Sequence, residues 1–121
     1  MKKILCAALA VVAMLMLGCS GTSADYVGGQ EGCREGNRLL ADMDNLRVED
    51  DAALLKLQSL ARLTASAETD IRSNADTMAR IWGESLTTGG SEGVGAFLQR
   101  MDRFDEAERE FKVACQKHGY I

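Results

Sequence analysis

The chain has 121 residues, a length that implies one domain; setting aside an export leader leaves about a hundred, enough for one modest core but not for a large enclosed active site. Proline is absent and aromatics make up only 5%, while Ala, Leu, Met, Arg and Glu abound, which favours helix and argues against a sandwich or barrel. The formal net charge is −4; Lys2 and Lys3 lie in a leader with no acid, so removing those two positives leaves −6, a balance that repels nucleic acid and anionic head groups.

Lys2 and Lys3 precede an unbroken apolar run from Ile4 to Leu17, the n- and h-regions of a secretory signal. As a helix the run reaches about 21 Å, short of the ~30 Å hydrocarbon core, so it does not suit a lasting membrane span. The run ends in Leu17-Gly18-Cys19, which resembles the last three positions of the lipobox of bacterial lipoproteins; Met16 stands where that family usually has Leu. The resemblance covers residues 1–19 only. It implies cleavage between Gly18 and Cys19 and a lipid on the Cys19 thiol, an attachment that two or more acyl chains make firm. Cleavage after Thr22-Ser23-Ala24 is the alternative and gives a soluble secreted chain.

Of the four cysteines, Cys6 leaves with the signal and Cys19 takes the lipid. Cys33 and Cys115 remain, and in an oxidising compartment two leftover cysteines most simply form one disulfide, although two separate buried thiols would satisfy the same count.

Along the mature chain, Ser20 to Gly32 (SGTSADYVGGQEG) is polar, glycine-rich and without helical period, and reads as a flexible tether. A first helix is expected from Cys33 to Arg47, with Leu39, Leu40, Met43 and Leu46 inward. A long second helix is expected from Asp51 to Leu86 along the seam Leu57, Leu60, Thr64, Ala67, Ile71, Asn74, Met78 and Ile81. The same spacing runs back through Met43, Leu46, Asp50 and Ala53, which leaves open one continuous rod. In a rod Cys33 and Cys115 would lie tens of Å apart, so the disulfide requires the chain to turn between Leu46 and Asp50. Thr87 to Gly95 (TTGGSEGVG) breaks the pattern. A third helix follows from Ala96 to His118, with Phe97, Met101, Phe104, Phe111 and Cys115 inward and Gly119 as the residue past its end.

The chemistry-bearing candidates are few. His118 is the only histidine; without a nucleophile or further metal ligands beside it, it reads as a helix C-terminal charge. Asp42-Met43-Asp44-Asn45 with Glu49-Asp50-Asp51 fails as a calcium loop, because Leu46 and Arg47 occupy the fifth and sixth positions. Gly89, Gly90, Gly93 and Gly95 lack both the preceding strand and the Gly-Lys-Ser/Thr of a phosphate loop and read as a hairpin turn. Asp102, Asp105 and Glu106 read as solvated acids, with Asp105–Arg109 and Glu108–Lys112 as i,i+4 pairs. Trp82 is expected in the core against Phe97, and as a partner contact if exposed.

These readings together give an all-α, small three-helix antiparallel bundle stapled by Cys33–Cys115, with residues 1–18 a signal, 19–32 a lipidated linker and 33–121 the domain. The expected function is a non-enzymatic protein-interaction module, lipid-anchored to the cell membrane or outer membrane outside the cytoplasm. Its partner would be another envelope or incoming protein; no cofactor, metal or nucleic acid is expected. Small lipoproteins of this design include exclusion factors of prophages and plasmids and accessory subunits of envelope machines. Small-ligand binding through Thr64 and Asn74, structural spacing in the envelope, and a secreted hydrolase using His118 or Asp105 are the other readings.

Overall fold

The computed structural model describes residues 26–88 and 91–121; the expected leader, Cys19, the first part of the expected tether and Gly89 and Gly90 of the expected hairpin turn lie outside them. Four helices stand among the described residues, and no strand: α1 (Gly29–Asp44), α2 (Asp50–Leu63), α3 (Thr69–Thr88) and α4 (Val94–Lys117). They run up, down, up, down, with α1 on α2, α2 on α3, α3 on α4, and α4 closing back on α1. One core fills the space between them, built from Leu39, Leu40, Leu57, Leu60, Ile71, Met78, Ile81, Phe104 and Phe111 among others.

The long second helix of the sequence reading is two helices. Thr64 is fully buried, and its Oγ1 donates to the carbonyl of Leu60 at 2.9 Å, a backbone bond of the kind that competes with helix continuation. The backbone N–H groups of Ala65 and Ala67 then donate to the carbonyls of Arg62 and Thr64, three residues back, and the chain reverses. Arg62 in the last turn of α2 and Asp70 in the first turn of α3 suit the two helix dipoles that meet there.

The start of the domain also moves. The helix begins at Gly29, not Cys33, so Gly29 to Gly32, read as tether, form its first turn. Gly29, Gly32 and Gly36 share one buried face of α1. Built side chains there would meet Tyr120 and Glu68 at position 29, Thr64 at 32 and the ring of Phe111 at 36. Close packing, and not looseness, is what these glycines provide. The backbone N–H of Val27 donates to the carbonyl of Ser66 at 3.0 Å, which docks the incoming chain against the α2–α3 turn.

Cys33 and Cys115 form the expected disulfide, 82 residues apart in sequence and 5.8 Å apart at Cα, joining α1 to α4 inside the core. The turn it required lies at Asn45–Glu49, between α1 and α2. Gly119 ends α4 as expected, at φ +76°, with Gly119 and Tyr120 donating to the carbonyls of Gln116 and Cys115, the double closure of a Schellman cap.

Candidate functional site

The up-down order gives the bundle two ends. One gathers the starts of α1 and α3 with the ends of α2 and α4, and the chain enters there. The other gathers the Asn45–Glu49 turn, the end of α3 and the start of α4. Along α3, with 20 residues, the two ends are about 30 Å apart.

At the far end Arg100 fastens α4 to α3. Its guanidinium, nearly buried, pairs with the Glu92 carboxylate through both terminal nitrogens. Its Nη1 also donates to Thr88 Oγ1 at 3.3 Å, and its Nε lies 3.8 Å from Glu84 Oε1. So held, the first turns of α4 present uncharged residues to solvent: Val94 is 74% exposed, Phe97 41% and Leu98 55%. Phe97 was expected inward; the N-terminal turns of α4 project beyond the core, and the buried stripe of α4 begins at Arg100 and Phe104.

Trp82, half-buried, packs its ring at a tilt of 53° against Phe104, with centroids 5.3 Å apart, and its Nε1–H donates to the carbonyl of Asp50 at 3.0 Å. Trp82 is thus packed on the core through Phe104, while neither it nor Phe97 is buried within the core as expected. Both instead line an open groove of about 380 Å³ with Asp50, Ser85, Leu86 and Met101. On the neighbouring turn Leu46 is 89% exposed, although it was expected inward on the first helix. It holds φ +56°, the left-handed position past the end of α1, where Leu46 and Arg47 donate to the carbonyls of Met43 and Asp42. This is the same Schellman closure as at Gly119, with leucine where glycine is usual.

The near end carries the polar cluster. His118 Nε2 lies 2.9 Å from Asp70 Oδ1, and its Nδ1 lies 3.7 Å from Glu68 Oε2. Lys117 Nζ donates to Asp70 Oδ2 at 3.3 Å, and Tyr120 OH donates to Glu68 Oε2 at 2.6 Å. Burial on its own pushes the Asp70 carboxyl up, but the hydrogen bonds and charges of His118 and Lys117 outweigh it and hold it below the ordinary carboxylate value. The hydrogen bond to Glu68, with burial and the Glu68 charge, pushes the Tyr120 phenol up. The only histidine thus serves as a clasp between the end of α4 and the start of α3, in addition to its place at a helix C-terminus.

The remaining candidates fall apart in space. Thr64 Oγ1 and Asn74 Nδ2 each bond a carbonyl of their own helix, Leu60 and Asp70 respectively, and the shallow groove that Asn74 lines with Thr77, Arg80 and Arg103 does not include Thr64. Asp102, Asp105 and Glu106 are exposed; Glu108 pairs with Lys112 at 3.1 Å, while Asp105–Arg109 is not among the ion pairs of the described residues. Those residues hold no cluster of three potential metal ligands, and no helix among them is long and apolar enough to cross a membrane. Comparison with known proteins finds no matching family model, no matching curated protein and no matching solved structure.

Proposed function

We propose that this chain is a membrane-anchored lipoprotein outside the cytoplasm, acting as a non-enzymatic module that holds a protein-docking surface away from the bilayer. One observation carries the reading. The chain enters the bundle beside Ser66, at one end, where Tyr26, Val27 and Ile121 are exposed, while the groove lined by Trp82, Phe97 and Met101 opens at the other. An anchor at Cys19 therefore leaves that groove at the end away from the point where the chain enters. The disulfide between Cys33 and Cys115 fits an oxidising compartment. Exclusion factors and accessory subunits of envelope machines both match such a device.

Mass spectrometry of the mature protein tests the anchor: a lipid mass on Cys19 is expected, with a deficit of about 2 Da for the disulfide. A photo-reactive residue at position 97 tests the docking. On intact membranes it should cross-link one reproducible protein, and the same probe at Val113, on the near half of α4, should not. An unlipidated Cys19 overturns the anchor, and equal or absent cross-linking at the two positions overturns the docking role.

A further inference from the structure

Resting on that docking role, we infer that the far end of the bundle binds a cationic amphipathic segment of another protein, its apolar side chains seated on Trp82, Phe97 and Leu98. The apolar half of the argument is the open groove between Trp82 and Phe97, continued by Val94 and Leu98, which are more than half exposed. A single exposed apolar residue means little, but several converging beside a half-buried tryptophan mark a contact surface.

The partner's charge follows from what surrounds that groove. Between Leu46 and Asp51 the turn and the start of α2 carry three acids, Glu49, Asp50 and Asp51, against one base, Arg47, a net −2. The three acids at the start of α2 favour its dipole, but no ion pair joins them to a cation among the described residues. Asp50 itself lines the groove. The nearby cation that faces inward, Arg100, is already matched by Glu92. An apolar groove with an acidic rim complements a segment that pairs leucine-like anchors with lysine or arginine. The same rim repels a second copy of this acidic chain and the surface of anionic lipids.

The test uses the mature-length, oxidised chain with Cys19→Ser, exported behind a conventional cleavable signal so that no lipid is attached. The probe is a tryptophan-free helical peptide of about five turns, with leucines on one face and lysines on the other, and a twin with glutamates in place of the lysines. Trp82 is the only tryptophan in the chain, so its emission reports the groove directly. The lysine peptide should shift that emission, bind more weakly as salt rises, and bind at least ten-fold more tightly than its twin. Phe97→Asp should weaken it by ten-fold or more, and Val113→Asp should leave it unchanged. Leu98→Glu, at a more exposed site, gives the same reading should Phe97→Asp fold poorly.

Equal binding of the two peptides overturns the proposal, as does indifference to both far-end variants. So does a concentration-dependent dimer that Phe97→Asp abolishes, or equal capture of the chain by anionic vesicles. The measurement is made without the anchor. A chain that binds the lysine peptide but carries no lipid in its host spares this proposal and overturns the anchoring. A cross-linked partner at position 97 with no preference for the lysine peptide does the reverse, sparing the docking role and overturning its cationic partner.

Discussion

The side chain of Thr64 fills the space that any side chain at Gly32 would need, its methyl carbon being the nearest atom to a built Cβ there. Thr64 is fully buried and held by its bond to the Leu60 carbonyl, so it has no room to yield. Gly32→Ala should therefore destabilise the domain by about 1–3 kcal/mol through overpacking, lowering the thermal midpoint by several degrees. In the Thr64→Ala background the same substitution should cost at least about 1 kcal/mol less, a coupling that denaturant titration of the four variants measures directly.

Three residues away in sequence from Gly36, which packs on Phe111, Cys33 bonds to Cys115. The crosslink closes 82 residues of chain, worth about 4.5 kcal/mol in the chain-entropy model as an upper figure. Because both sulfurs sit in the core, alanine and not serine is the informative replacement. Cys33→Ala with Cys115→Ala should lower the unfolding free energy by up to that amount. Amide hydrogen exchange should show α1 losing protection before α3 and α4, since the bond is the covalent tie that holds α1 to α4.

Much of this architecture was readable from spacing, and the parts that were not have physical causes. The seam Leu57, Leu60, Thr64, Ala67 and Ile71 is fully or almost fully buried as expected, yet the helix that should carry it is broken in the middle. The turn at Thr64–Glu68 is tight enough to keep Thr64 and Ala67 facing inward, so periodicity reported burial correctly and continuity wrongly. The signals of the break, a threonine able to bond its own backbone and Glu68 and Asp70 opening a new helix, are weak beside five seam residues. Gly29 and Gly32 read as loose chain because composition does not distinguish glycine chosen for freedom from glycine chosen for close approach. At the far end, the turn between α1 and α2 was legible through the disulfide. The exposure of Leu46 and Phe97 was not, since an apolar residue in phase with a core stripe looks the same whether or not its helix extends past the core.

The clasp at the near end gives the domain a pH signature on both sides of neutrality. Asp70 has its carboxyl held below the ordinary 3.8 by His118 and Lys117 in spite of burial. Such a group stabilises the fold fully above its unfolded value and loses that contribution as pH falls from there toward the folded value. Tyr120 is the mirror case: its phenol is raised above the ordinary 10.0 by Glu68, so its contribution is complete below 10.0 and lost as pH climbs through the folded value. Thermal midpoints should therefore fall below about pH 4 and again above about pH 10. Asp70→Asn should flatten the acid limb alone, and Tyr120→Phe the alkaline limb alone.

Arg100 and Glu92 form a pair with little solvent around either partner. Removing one member leaves the other charge poorly solvated, which for fully buried pairs costs roughly 3–5 kcal/mol; with some water reaching Glu92, Arg100→Ala should cost about 2–3 kcal/mol. Arg100→Met with Glu92→Gln removes both charges and keeps most of the volume, and should cost less than Arg100→Ala alone. Urea unfolding monitored by Trp82 fluorescence separates the two outcomes, and a double variant as unstable as Arg100→Ala would mean that packing, not charge, holds the start of α4 to the turn before it.

Leu46 presents the opposite economy, a residue that the fold itself would be better without. It holds a left-handed φ of +56°, which costs a residue with a side chain about 1 kcal/mol relative to glycine, and at 89% exposure it recovers almost nothing by burial. Leu46→Gly should therefore stabilise the domain by about 0.5–1 kcal/mol, where most surface substitutions are neutral or harmful. Strain kept at an exposed apolar site at the same end of the bundle as the Trp82–Phe97 groove is what a contact residue looks like. The same variant should then bind the leucine–lysine peptide several-fold more weakly while unfolding at higher denaturant. Stabilisation with undiminished binding would remove Leu46 from the docking surface and leave its conformation without a functional reason.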